Sequence, residues 1–114
     1  MADDIIYINA EEGVKRVMNN SKLYVKLLVK FIDDPSFNSL ESAVSAGDME
    51  NAKAMSHTLK GLAANLSLTE LTKQSLELES QIKDGNLNSE QMTLVKNVYH
   101  KTITEIEKVI AKYA

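Results

Sequence analysis

Cysteine is absent from the 114 residues, and the chain holds one proline and four glycines. Without cysteine there is neither a disulfide framework nor a thiolate metal site, and the chain suits a reducing cytoplasm. At this length a single core forms without covalent staples, so residues 1–114 read as one domain. The net charge of −3 leaves no general basic footprint for nucleic acid. No apolar run approaches the roughly 18 residues that span a bilayer, so no membrane insertion is expected. The opening Met1-Ala2-Asp3-Asp4 is acidic and unlike a signal peptide. Strand-like alternation, internal repeats and low-complexity linkers are missing. So are the glycine loops that cradle nucleotide phosphates. Helical bundles can carry metal pairs on Glu-x-x-His motifs, but Ala54 and Asn97 stand three residues before His57 and His100. Two histidines and no cysteine make a nucleophile–base–orienter set hard to assemble, so an autonomous enzyme is not expected.

What remains is rich in helix formers, and its punctuation marks about six helices. Met1 to Ile8 form a short lead, with Ile5-Ile6-Tyr7-Ile8 able to clip onto the rest. Asn9 followed by Glu12 resembles a capping box opening a short helix to about Met18. Asn19-Asn20-Ser21 breaks the chain and caps a second helix faced by Tyr24, Leu27, Leu28, Phe31 and Ile32. Asp34-Pro35 restarts it, Phe37, Leu40 and Val44 point inward, and Gly47 stops it. Asp48 caps the next helix, and Ser67-Leu68-Thr69-Glu70 reads as the capping box of the one after. Leu68, Leu71, Ser75, Leu78 and Ile82 give that helix its stripe, which Asp84-Gly85 ends. A long last helix begins at Asn88-Ser89 and runs its face through Met92, Val95, Tyr99, Ile103, Ile106, Ile110 and Tyr113. The expected fold is all-α, an antiparallel four-helix bundle with additional short N-terminal helices. No apolar face is left over, so a monomer is expected.

The chain is organised around the helix from Asp48 to Leu66. Ala52, Met55, Leu59, Leu62 and Leu66 alternate spacings of three and four, which is one buried stripe. At about 100° per residue, His57 points roughly 180° from the centre of that stripe. Its neighbours on the outward face, Ala54, Gly61 and Ala64, are all small. A glycine inside a helix costs about 1 kcal/mol relative to alanine. Its presence one turn from an outward histidine suggests close approach by a partner. Lys53 and Lys60 flank the same face with positive charge. A neutral imidazole nitrogen is a competent nucleophile near neutral pH. With small surroundings and nearby lysines, it suits receipt of an anionic group from a docked partner. His100 lacks comparable company and reads as a surface residue. Gln74, on the following helix, stands within possible reach of a group on His57 but also reads as surface.

His57-Thr58-Leu59-Lys60-Gly61 resembles the His-x-Leu-Lys-Gly signature of histidine-containing phosphotransfer (HPt) domains. Ala63 and Asn65 fit the step that follows, and Leu78-Glu79 resembles the Leu-Glu pair of the next helix. Upstream, Gly13-Val14, Arg16, Leu23-Tyr24, Leu27-Leu28, Phe31, Leu40, Ala43 and Gly47-Asp48 are similar to the family's opening pattern. One departure is Ser67, where the family often has glycine; the capping-box reading gives the serine a use there. The resemblance implies that His57 is the phosphoacceptor, through Nε2, and that Lys60 neutralises charge on the phosphoryl group. On the small-residue face around His57, Lys53, Ala54, Gly61 and Ala64 are expected to meet the partner. No cofactor or metal site is expected on this chain: Mg²⁺ should come with the partner, since no acidic cluster adjoins His57 in sequence. The expected partners are receiver domains of a hybrid sensor histidine kinase or a response regulator, in the cytoplasm. Two alternatives are a binding-only helical adaptor that inhibits a receiver or kinase, and the kinase-phosphorylated N-terminal module of a chemotaxis-type kinase.

Overall fold

The computed structural model describes residues 5–113. The residues before Ile5, which include the acidic opening, lie outside that range, as does Ala114. Among the described residues the chain forms six helices: α1 (Ala10–Arg16), α2 (Ser21–Ile32), α3 (Ser36–Ala46), α4 (Met49–Asn65), α5 (Thr69–Lys83) and α6 (Ser89–Tyr113). Short connections make α3, α4, α5 and α6 successive antiparallel neighbours in a four-helix bundle. The bundle closes where Phe37 of α3 stacks on Tyr99 of α6, with ring centroids 4.1 Å apart. A Glu41–Lys96 ion pair lies across the same two helices. Helix α2 packs on α6, and α1 on α2.

Polar side chains start the helices where the sequence puts them. Asn9, Asn20 and Asp48 each accept from the backbone N–H three residues on, satisfying donors that a helix N-terminus leaves unpaired. Asp34 accepts from the Ser36 N–H at 2.8 Å, and Pro35 already has helical dihedrals. Asn88 accepts from Glu90 N–H at 2.8 Å to open α6.

Four of the helix ends, those of α1, α3, α4 and α5, share one device. At Met18, Gly47, Ser67 and Gly85 the chain turns through positive φ, at 60°, 73°, 59° and 73°. At each, that residue's N–H bonds three residues back while the next N–H bonds five back, as in Ser67→Ala64 and Leu68→Ala63. These are Schellman closures. Glycine takes this conformation freely, but an L side chain pays about 1 kcal/mol or more for it. Ser67 therefore does not open α5 as the sequence suggests. The residue preceding α5 is Leu68, with no side-chain cap. The buried Ser67 hydroxyl donates instead to Glu12, 55 positions away, at 2.8 Å. Glu12 is thereby diverted from the capping box expected with Asn9, whose N–H bonds to Ser67 O at 2.9 Å. Thr69 donates to Ile6 O. The N-terminal lead and α1 are thus fastened to the α4–α5 turn, and Tyr7 and Ile8 pack on the core.

Tyr24, Leu28, Leu40, Leu59, Leu68, Leu71, Leu78, Val95 and Ile106 are the innermost side chains. The Tyr24 hydroxyl donates to Leu66 O at 2.6 Å. Burial, with Tyr113 and Glu12 nearby, pushes that phenol up to about 12, so it stays a donor. A Cβ at Gly13 would sit 2.3 Å from the Tyr24 ring, which is why α1 carries glycine there.

Helix α4 is turned from its expected setting. Its buried residues are Ala52, Ser56, Leu59 and Ala63, continued by Leu66, while Met55 and Leu62 are only half-buried. At about 100° per residue the buried stripe is rotated by roughly 40°, toward α5. Small Ser56 and Ala63 let the two helices approach closely, and apolarity alone does not reveal that. On α6, Val98 and Thr102 are buried at the stripe's centre, and Thr102 returns its hydroxyl to Val98 O at 2.7 Å.

Candidate functional site

The cap at Asp48 fixes where α4 begins, and the buried stripe fixes its rotation. Together they hold His57 on the outer face with its side chain 67% exposed. Lys60 follows at i+3 on the side that faces α5. Helix α5 turns Leu71, Ser75, Leu78 and Ile82 inward, so Glu79, one position past Leu78, stands at the flank of that stripe. There the Glu79 carboxylate, 17% exposed, bridges two residues of α4. One oxygen lies 3.0 Å from His57 Nδ1 and the other 3.1 Å from Lys60 Nζ.

Burial alone would raise the carboxyl of Glu79. The Lys60 ammonium beside it and the hydrogen bond with His57 outweigh it and hold the group below its ordinary range. Glu79 is therefore ionised at neutral pH and can only accept. In the neutral ring the proton then belongs on His57 Nδ1, which leaves the lone pair on Nε2. A carboxylate behind an imidazole also favours the ring when it becomes cationic, as it does on attacking an electrophile.

The other expected site residues divide. Lys53 and Ala54 are exposed beside His57, and Lys53 has no carboxylate partner among the described residues. Ala64 is half-buried below them. A Cβ built on Gly61 meets nothing within 4 Å. The chain's own packing thus gives no reason for glycine there, and the space above it is open to a visitor. Gln74 is elsewhere: it bonds Glu70 at 2.8 Å and Gln91 of α6 at 3.1 Å. His100 is exposed, its ring edge-on to Phe37 and Tyr99. Among the described residues no three His, Asp or Glu side chains group as metal ligands, and no helix is long and apolar enough to cross a membrane.

Glu79 is the residue that sequence reasoning under-read. It appears there only as half of a Leu-Glu pair, without a role. The inward stripe of α5 requires Glu79 to flank the core. Which flank faces α4 depends on how the bundle is wound, and that is set by packing. Taken together, the exposed imidazole, its fixed tautomer and the anchored lysine can receive an electrophilic anion and hold the ring charge that results.

Comparison with protein-family models matches the Hpt domain over residues 34–110, two thirds of the chain. No curated protein and no solved structure gives a significant match.

Proposed function

The chain belongs to the Hpt domain family, the phosphocarrier modules of two-component systems, and from that premise we propose that His57 carries the phosphoryl group on Nε2. In this reading the donor is an aspartyl phosphate of a receiver domain. Nε2 attacks phosphorus, the P–O bond to the aspartate breaks, and the aspartate leaves as a carboxylate. The Nδ1 proton stays on the ring, which becomes cationic, and the Glu79 carboxylate 3.0 Å away offsets that charge. Lys60, steadied by the same carboxylate, neutralises the moving phosphoryl charge. Transfer onward to a response regulator is the same step reversed. Mg²⁺ and the remaining catalytic groups are the receiver's, and the relay operates in the cytoplasm. Gly61, Ala54 and Ala64 leave room for the receiver's surface over His57, and Lys53 meets its rim.

The observation that carries this reading is the Glu79 bridge, because it leaves Nε2 free as a nucleophile. A binding-only adaptor has no use for a histidine oriented this way. The test is a transfer assay with Mg²⁺, using receiver domains phosphorylated on aspartate, against wild type and His57→Gln. Acid-labile, base-stable label on wild type and none on the variant is the expected result. Binding of receivers without label on wild type would replace this reading with the adaptor.

A further inference from the structure

The chain's charges are segregated. Residues 13–32 hold Lys15, Arg16, Lys22, Lys26 and Lys30 and no acid, in a chain whose net charge is −3. Lys22, Lys26 and Lys30 stand at i, i+4 and i+8 on α2, one ridge with about 6 Å of axial rise between successive residues. All three are exposed, and none pairs with a carboxylate among the described residues. The ridge works against its own helix at the amino end, whereas Lys30, in the last turn, suits the dipole. Like charges four apart repel, and Lys22 lies in the first turn, where the helix dipole disfavours a cation and α2 has no acid to offset it. Helix stability therefore does not account for Lys22 or for the repulsion along the ridge.

The ridge adjoins the face that carries His57. Helix α2 lies against the carboxyl end of α4: Tyr24 reaches Leu66 O, and Leu27, Lys30 and Phe31 share a groove with Leu62 and Leu66. Lys30, Arg16 and one acid, Asp34, line that groove together with Asn65 of α4. Asn65 is eight residues past His57, about 12 Å along the axis. Lys30 is therefore the near end of the ridge, and Lys26 and Lys22 recede from His57 in turn.

We propose that the ridge Lys22–Lys26–Lys30 is the electrostatic arm of the docking face, drawing in the acidic phosphorylation surface of a receiver domain. This rests on the phosphotransfer reading, under which the partner must bring its aspartate and the carboxylates that hold Mg²⁺. Screening over about 8–10 Å at physiological salt grades the arm. Lys30 acts on a seated partner, and Lys26 and Lys22 act mainly during approach.

The test compares wild type with the variant carrying Lys22→Glu, Lys26→Glu and Lys30→Glu, using a panel of phosphorylated receiver domains at about 0.02 M and about 0.5 M NaCl. At low salt the variant should lose about 10- to 100-fold in the second-order transfer rate. At high salt the two should converge, and the rate at saturating receiver should be unchanged. Lys30→Glu alone should lose more than Lys22→Glu alone. Equal second-order rates at low salt would overturn the proposal while leaving phosphotransfer intact. So would wild-type binding to phosphatidylserine vesicles that the variant loses without change in transfer, which would make the ridge a membrane contact. Absence of label on wild-type His57 with every receiver would overturn both readings. Thermal unfolding checks the variant's fold, and Lys30→Glu carries the test if the triple variant is unfolded.

Discussion

Replacing Glu79 by Gln keeps the shape of the side chain and removes its charge. Three effects should then fall together on His57. Lys60 loses its anionic anchor, the ring loses its counterion, and the amide can donate to Nδ1, which would move the proton to Nε2 and block the nucleophile. A hydrogen bond to a charged group contributes about 1.5–3 kcal/mol. Glu79 is mostly shielded, at 17% exposure, so the full range applies. At about 1.4 kcal/mol per decade, transfer should slow by about 10- to 150-fold. Stability should fall by about 1 kcal/mol or less, because the bridge opens to water on the His57 side, which is 67% exposed. Rapid-quench transfer from saturating phosphorylated receiver measures the first-order step, and receiver binding measured separately should be unaltered. Nitrogen-15 NMR of the ring should report the Nδ1–H tautomer in wild type and its loss in Glu79→Gln. Transfer by Glu79→Gln within twofold of wild type, or a wild-type ring protonated on Nε2, would refute the reasoning.

Gly13→Ala places a methyl 2.3 Å from the Tyr24 ring. It should destabilise the fold by about 1–3 kcal/mol in urea unfolding, with no change in the order of helices. Ser67→Ala keeps a side chain at positive φ while losing the bond to Glu12, and should cost about 1 kcal/mol. Ser67→Gly loses the same bond but relieves the backbone, and should fall within about 0.5 kcal/mol of wild type. The lowered carboxyl of Glu79 binds its proton more readily in the unfolded chain than in the folded one. Its stabilisation is therefore complete near neutrality and is lost as pH falls below the ordinary carboxylate range. In a series of urea midpoints against pH, Glu79→Gln should flatten that acid limb.

Much of the fold is legible in the sequence because its punctuation is local. Asn9, Asn20, Asp48 and Asn88 begin helices by bonds to residues two or three away, and Gly47 and Gly85 end them through a conformation glycine takes freely. Met18 and Ser67 perform the same closure without glycine, and at Ser67 the sequence misleads. Ser67 resembles an N-cap because serine usually is one; its actual partner, Glu12, is 55 positions distant. The rotation of α4 was missed for a related reason. Apolar spacing favours Met55 and Leu62, but the tight seam with α5 selects the small Ser56 and Ala63. The outward setting of His57 survives that turn because a shift of roughly 40° still leaves it far from the core. Its pairing with Glu79 joins two helices across 22 positions, and no local rule specifies such a contact.

The fastening of the N-terminal segment also bears on where this molecule can be cut. The family match begins at residue 34, yet Tyr24, Leu28 and Phe31 are buried in the same core as Leu59 and Leu66. Asn9, Glu12 and Ile6 are latched to the α4–α5 turn. A fragment trimmed to the recognised span would expose the apolar flank of α6 and leave Leu66 O without its phenol. The recognised span thus shares its core with residues that precede it. Residues 6–33 serve as a wedge driven into the bundle, and the surface that presents His57 depends on that wedge staying in place.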